Sequence, residues 1–119
     1  MKDKIKKTYP QISLDRIALG ICKIFGLTTD HLRIKTRKRR YLWPRQFAEA
    51  IAYNEKHSLH AIGDYFFRDH CTILNSFKRI KREMQVMPEF EKQFKEIYFE
   101  VTGDKLIELK FHQYERNHE

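Results

Sequence analysis

Apolar residues recur at three- and four-residue spacing along most of this chain, the period of helices with one buried face. Leu14, Ile17, Ala18, Ile21, Ile24 and Phe25 form the first stripe, with Ser13 placed as an N-cap and Gly26 as a left-handed stop. Thr28 or Thr29 can cap a short second helix reaching about Ile34, with Leu32 as its core contact. A basic segment without apolar period follows. Trp43-Pro44 then opens a third helix, because proline restricts the residue before it and suits a first helical turn. Its inward positions are Phe47, Ala48, Ile51 and Ala52, and it runs to about Lys56.

Ser58 caps a short fourth helix, Leu59 to about Tyr65, with Leu59, Ile62 and Phe66 inward. Asp69 caps a longer fifth helix on Ile73, Leu74, Phe77, Ile80 and Met84. Pro88 begins a sixth, with Phe90, Phe94, Ile97, Tyr98 and Val101 inward and Gly103 as its stop. From Asp104 the pattern is ambiguous. Leu106, Leu109 and the aromatics suit a short helix, the reading preferred, whereas Ile107, Leu109 and Phe111 alternate as in a strand. The expected fold is all-α: residues 1–12 a basic arm, 13–87 the main domain, 88–119 a helical extension.

Charge changes the picture once it is divided along the chain. Residues 1–45 hold 13 Lys/Arg against 3 Asp/Glu, residues 46–82 hold 6 against 4, and residues 83–119 hold 5 against 9. The net +8 is therefore an N-terminal excess with an acidic C-terminal counterweight. Such polarity suits a protein that presents one face to a polyanion, although a solvated surface gives the same count. With four glycines, no phosphate-binding loop or dinucleotide fingerprint can be assembled, so no nucleotide is expected. Two cysteines and six scattered histidines match no metal-ligand spacing, so neither a metal nor a cofactor is expected. No apolar run is long enough for a membrane span, and the first residues lead into no signal-peptide core, so the expected compartment is the cytoplasm.

Two constellations carry chemistry. The first is a short capped helix, a tight connection at 66–68, and a longer helix opening Asp69-His70-Cys71-Thr72. That is the layout of a helix-turn-helix, whose second helix offers its first residues to base edges in the major groove. An ordinary helical hairpin with a capping aspartate has the same layout. The second is Lys35-Thr36-Arg37-Lys38-Arg39-Arg40, an arginine-rich segment of the kind that enters a minor groove, or that is simply solvated.

At these residues the chain resembles a known family. Trp43-Pro44-Arg45-Gln46, then Ser58-Leu59-x-x-Ile62-Gly63-Asp64-x-Phe66, then Arg68-Asp69-His70-x-Thr72-x-Leu74 resemble the C-terminal DNA-binding domain of the bacterial replication initiator DnaA. The resemblance covers roughly residues 12–85. It implies a Trp-repressor-like helical bundle that binds a specific short element of double-stranded DNA in replication initiation or its regulation. It places Arg37 in the minor groove, Arg45 and Gln46 in the first turn of the third helix on phosphates, and Arg79 on a further phosphate. Arg68, Asp69, His70, Cys71 and Thr72 fall on the base-reading start of the recognition helix. Arginine offers a fork to guanine, His70 can donate or accept at a base edge, and Asp69 can accept from cytosine.

The departures are specific. Where the family carries a glycine pair before Arg-Asp-His, this chain has the single Phe67, and Cys71 stands where threonine is usual. The connection between the third and fourth helices is also one residue shorter. A related but not identical DNA target is therefore expected. The acidic, aromatic residues 88–119 lie outside the resemblance. They either enlarge the core or form a homodimer or partner surface, with Phe99 off the buried stripe. The alternative functions are an interaction adaptor working through that extension, and an accessory of a nucleic-acid enzyme.

Overall fold

The computed structural model describes residues 10–111. The expected basic arm therefore lies outside the described residues up to residue 9, as does the end of the tail beyond 111. Among the described residues there are five α-helices and one 3-10 turn, with no strand. They are α1 (Leu14–Phe25), the turn (His31–Arg33), α2 (Arg39–Asn54), α3 (Leu59–Phe66), α4 (His70–Val86) and α5 (Pro88–Thr102). The fold is all-α, and no helix is long and apolar enough to cross a membrane.

Local chemistry sets most helix ends. The hydroxyls of Ser13 and Ser58 accept from the amides of Arg16 and Ala61 at 3.1 and 3.0 Å, which satisfies donors that a helix start leaves orphaned. Gly26 (φ 69) and Gly103 (φ 83) close α1 and α5 in the left-handed conformation that glycine adopts without a Cβ clash. Ser58 also separates His57 from His60. The His57 ring turns back to the Ile12 carbonyl at 2.7 Å.

α2 is the central rod, touching α1, α3, α4 and the 3-10 turn. Every residue from Pro44 to Tyr53 is buried, so its sequence shows little of the one-sided pattern of a surface helix. Phe47 meets Phe25, Trp43, Phe90 and Phe94 with ring centroids 5.3–5.8 Å apart, and Tyr53 meets Phe77 edge-on at 4.5 Å. α5 lies against α1 and α4, and its Phe94, Ile97, Tyr98 and Val101 join the same core as α1–α4.

The structure corrects four expectations. The second helix is only a three-residue 3-10 turn, although Leu32 is fully buried as expected. α2 starts at Arg39 and not at Pro44, because the amides of Tyr41 and Leu42 already bond to the Lys38 carbonyl. Pro44 consequently sits inside the helix, where it cannot donate to the Arg40 carbonyl. Ile24 is 37% exposed, at the edge of its stripe. Residues 104–111 are neither helix nor strand. Leu106 and Leu109 bury there, and the backbone is held by side chains: Lys81 Nζ donates to the Leu109 carbonyl at 2.8 Å, and Asn54 accepts from the Lys110 amide at 3.1 Å. Side-chain anchors thus substitute for a helical ladder.

Candidate nucleic-acid interface

α3 and α4 are joined by three residues, Phe67, Arg68 and Asp69, each with a different task. Phe67 is the C-cap of α3 and stands in the left-handed region (φ 60, ψ 45) without being glycine. A side chain in that conformation is strained by roughly 1 kcal/mol or more. Arg68 returns its amide to the Gly63 carbonyl at 2.8 Å. The two segments approach so closely that a Cβ on Gly63 would lie 2.3 Å from the Arg68 carbonyl oxygen, which is why that residue is glycine. Asp69 is the N-cap of α4. Its Oδ1 accepts from the Cys71 amide at 3.1 Å and its Oδ2 from the Thr72 hydroxyl at 3.2 Å. The Cys71 amide bond, then the Thr72 hydroxyl and the nearby His70, hold this carboxyl below its ordinary range.

Asp69, His70 and Cys71 are exposed and Thr72 is half-buried, so the first turn of α4 is presented outward over a core of Ile73, Phe77 and Ile80. The His70 ring packs on that of His60, centroids 4.5 Å apart. Donor atoms of Asp69, His70 and Cys71 lie within 4.8 Å of one another, a set of the kind that zinc accepts. Both Asp69 oxygens, however, already serve the helix cap.

The basic run divides. Lys35–Lys38 is irregular, with the Lys38 amide held by the Thr36 hydroxyl at 3.2 Å, while Arg39 and Arg40 form the start of α2. Arg37, Lys38, Arg39 and Arg40 are all exposed. Between this run and the α4 start is a cleft of about 230 Å³ with Arg33, Lys35, Arg45 and Arg68 among its walls and Asp69 and Thr72 at its edge. Arg79, farther along α4, lies half-buried with its guanidinium 4.9 Å from the centre of the Trp43 ring.

Arg45 and Gln46 lie elsewhere than expected. With α2 starting at Arg39, they are not in its first turn, and only 2% and 7% of their surface is exposed. Arg45 Nη1 donates to the Ile34 carbonyl at 2.6 Å, tying α2 to the end of the 3-10 turn. Beside it is a residue that the sequence pattern did not single out, Glu49, fully buried, whose Oε2 lies 3.1 Å from Arg68 Nε. The Arg68 contact is an ion pair of imperfect hydrogen-bond alignment, and the Ser76 hydroxyl lies on the same carboxyl. Burial pushes the Glu49 carboxyl up to about 7, against the pull of Arg68, the Ser76 hydroxyl and Arg45. Burial likewise lowers Arg45, and Arg68 lowers it further, while Glu49 opposes. Its spacing could have exposed Glu49: it lies between Ala48 and Ala50 and one turn after Arg45. Arg33 was also missed. Its Nε donates to the Tyr65 carbonyl at 2.7 Å, and its guanidinium lies 4.5 and 4.9 Å from the ring centres of Tyr65 and Phe67.

A short capped helix, a three-residue connection and a second helix with an exposed polar start define a helix-turn-helix protein. Comparison with known proteins names the family. The bacterial DnaA protein helix-turn-helix family matches residues 14–80, and the chain belongs to it. A chromosomal replication initiator protein DnaA from Bacteroides thetaiotaomicron is 32% identical over 88 residues, which is 72% of this chain and 19% of that protein. The DnaA of Chlorobaculum tepidum is 28% identical over 99 residues, 82% of this chain and 20% of the relative. That of Caldanaerobacter subterraneus subsp. tengcongensis is 25% identical over 104 residues, 87% and 24%. The chain thus spans about a quarter or less of the length of these relatives. The match from Leu14 to Ile80 covers the helix-turn-helix and excludes α5.

Proposed function

We propose that this domain reads a specific double-stranded DNA sequence, with the start of α4 in the major groove and the basic loop before α2 in the adjacent minor groove. The observation that carries the reading is the outward first turn of α4 beside a cleft walled by four basic side chains. His70, Cys71 and Thr72 supply the base-edge contacts, with Asp69 accepting from a base while it caps the helix. Arg37, exposed in the irregular loop, is the minor-groove residue. Arg45 acts on a phosphate only from the floor of the cleft, and Gln46, buried, supports α2 from within. Arg68, tied to Glu49, contributes through the cleft, and Arg79 reaches backbone phosphate from its place over Trp43. The relatives are named as chromosomal replication initiators, so the target is an initiator-type element and the process is replication initiation or its regulation. The domain acts by binding, without catalysis or a cofactor. Phe67 and Cys71 adjust its target relative to the family.

Selection of duplexes from a random pool tests this directly. An enriched motif is the expected outcome, and recovery without enrichment overturns the reading. On the selected duplex, Arg37→Ala and His70→Ala each weaken binding by about 1–3 kcal/mol while leaving a scrambled duplex nearly unaffected.

A second reading rests on α5 and the tail. Phe99 and Ile107 are 57% and 79% exposed around an open concavity on α5 and the tail, the setting of an interaction adaptor or homodimer. On that reading Phe99→Ser abolishes partner binding or self-association, and the DNA-facing changes do nothing.

A further inference from the structure

The connection between α3 and α4 carries strain that its sequence does not relieve. Phe67 holds a left-handed conformation without being glycine, yet residues 69–72 begin one position beyond Arg68. Any error in this connection moves the whole first turn of α4. Arg33 and Glu49 bracket it. From outside, Arg33 bonds to the Tyr65 carbonyl at 2.7 Å and lays its guanidinium 4.9 Å from the centre of the Phe67 ring. The Tyr65 it also covers is fixed in turn, its hydroxyl donating to Asp15 of α1 at 2.6 Å. From inside, Glu49 of α2 draws Arg68 toward the core at 3.1 Å. A fully buried carboxylate costs folding energy that its partners repay only in part, and aliphatic side chains would fill the same space without that cost, so its presence points to a role other than stability.

We propose that Arg33 and Glu49 are positioning residues for DNA recognition, gripping the glycine-poor turn at Phe67 and Arg68 from opposite sides so that α4 keeps one pose. The inference rests on the DNA-reading proposal for its consequence, but the grip itself is a property of the free protein. It also explains why this chain tolerates phenylalanine at a left-handed position. The Arg33 contact with that ring offsets part of the strain that the Phe67 Cβ introduces in the left-handed conformation. Arg33 and Glu49 then act through Phe67 and Arg68, and neither has to touch a base.

The experiment uses the full chain and four variants: Arg33→Ala, Glu49→Gln, Phe67→Gly, and the Arg33→Ala/Phe67→Gly pair. Binding is measured to the selected duplex and to a scrambled one at fixed salt, and amide exchange is followed in the DNA-free protein. Arg33→Ala and Glu49→Gln are expected to lower the ratio of specific to scrambled affinity by about tenfold, with scrambled affinity changed less than about twofold. Exchange at Cys71 and Thr72 quickens in both variants. Phe67→Gly recovers most of the ratio lost in Arg33→Ala, because glycine takes the turn without a clamp. A uniform loss on both duplexes, an unchanged ratio, or no recovery by glycine overturns the proposal. If the wild-type chain shows no specific ratio, the DNA reading fails. Exchange then decides the grip alone: unchanged rates at Cys71 and Thr72 reject it, and quickened rates retain it. Arg33 is partly exposed, so its variants test the grip without disturbing the buried core.

Discussion

Two faces of α2 are buried by opposite chemistries. Toward α5, Phe47 sits among Trp43, Phe90 and Phe94 in aromatic contacts that any well-fitting apolar residue could approximate. Toward the start of α4, buried Glu49 pairs with Arg68 at 3.1 Å beside the buried Arg45, an arrangement that apolar side chains could fill but whose direction they could not reproduce. The aromatic side is worth more in free energy and less in direction. The charged side is the reverse, since it stabilises only when its partners are in place. Apolar packing sets how firmly this molecule folds. The ionic cluster sets where one particular turn lies.

That contrast can be broken at its strong end first. Phe94→Ala removes a fully buried ring and is expected to cost about 3–5 kcal/mol in urea unfolding. The protein that remains folded should retain its DNA preference; a selective loss of that preference would merge the two regions into one.

Glu49→Gln comes next. The folded carboxyl is raised to about 7 from an ordinary 4.5, chiefly by burial. Between those values the unfolded chain has released a proton that the folded chain retains, so stability falls as pH rises from about 4.5 through 7 and then levels. The full drop is on the order of 3 kcal/mol at 1.36 kcal/mol per pH unit. Glutamine imitates the neutral acid. The variant should lack this slope, match the wild type at low pH, and exceed it in stability above pH 7. Parallel slopes in urea titrations of the two proteins would show that Glu49 does not titrate in this window. The expected pairing of higher stability with poorer DNA selectivity is the reverse of what Phe94→Ala should give.

The smallest effect belongs to Phe99→Ser. Phe99 is exposed on the far side of α5, so its loss should move stability by no more than about 0.5 kcal/mol. A larger change measured at high protein concentration, vanishing on dilution, would reveal self-association through this face.

The legible parts of the fold are those whose cause is local. Ser13, Ser58 and Asp69 accept from amides two or three residues ahead, and Gly26 and Gly103 supply the left-handed stops, so these boundaries can be read from a few adjacent letters. The same holds for the apolar stripes of α1, α3 and α4 and for Phe94, Ile97, Tyr98 and Val101 of α5. The start of α2 was misread because Pro44 is a better helix opener than interior residue, yet five helical residues precede it. The tail was misread because its order comes from distant side chains, Lys81 and Asn54, to which no nearby pattern points.

At the candidate site the division is sharper. By itself the sequence determined that a polar helix start at Asp69-His70-Cys71-Thr72 follows a capped short helix, because capping and periodicity act within a few residues. It also determined the family, through residues lying close together in the chain. Only the tertiary structure decided that Arg45 and Gln46 face inward, that Arg68 answers to Glu49 from 19 positions away, and that Arg33 covers Phe67. Whether a charged side chain meets water or a partner depends on which elements surround it, and α1, α3, α4 and the 3-10 turn all pack on α2.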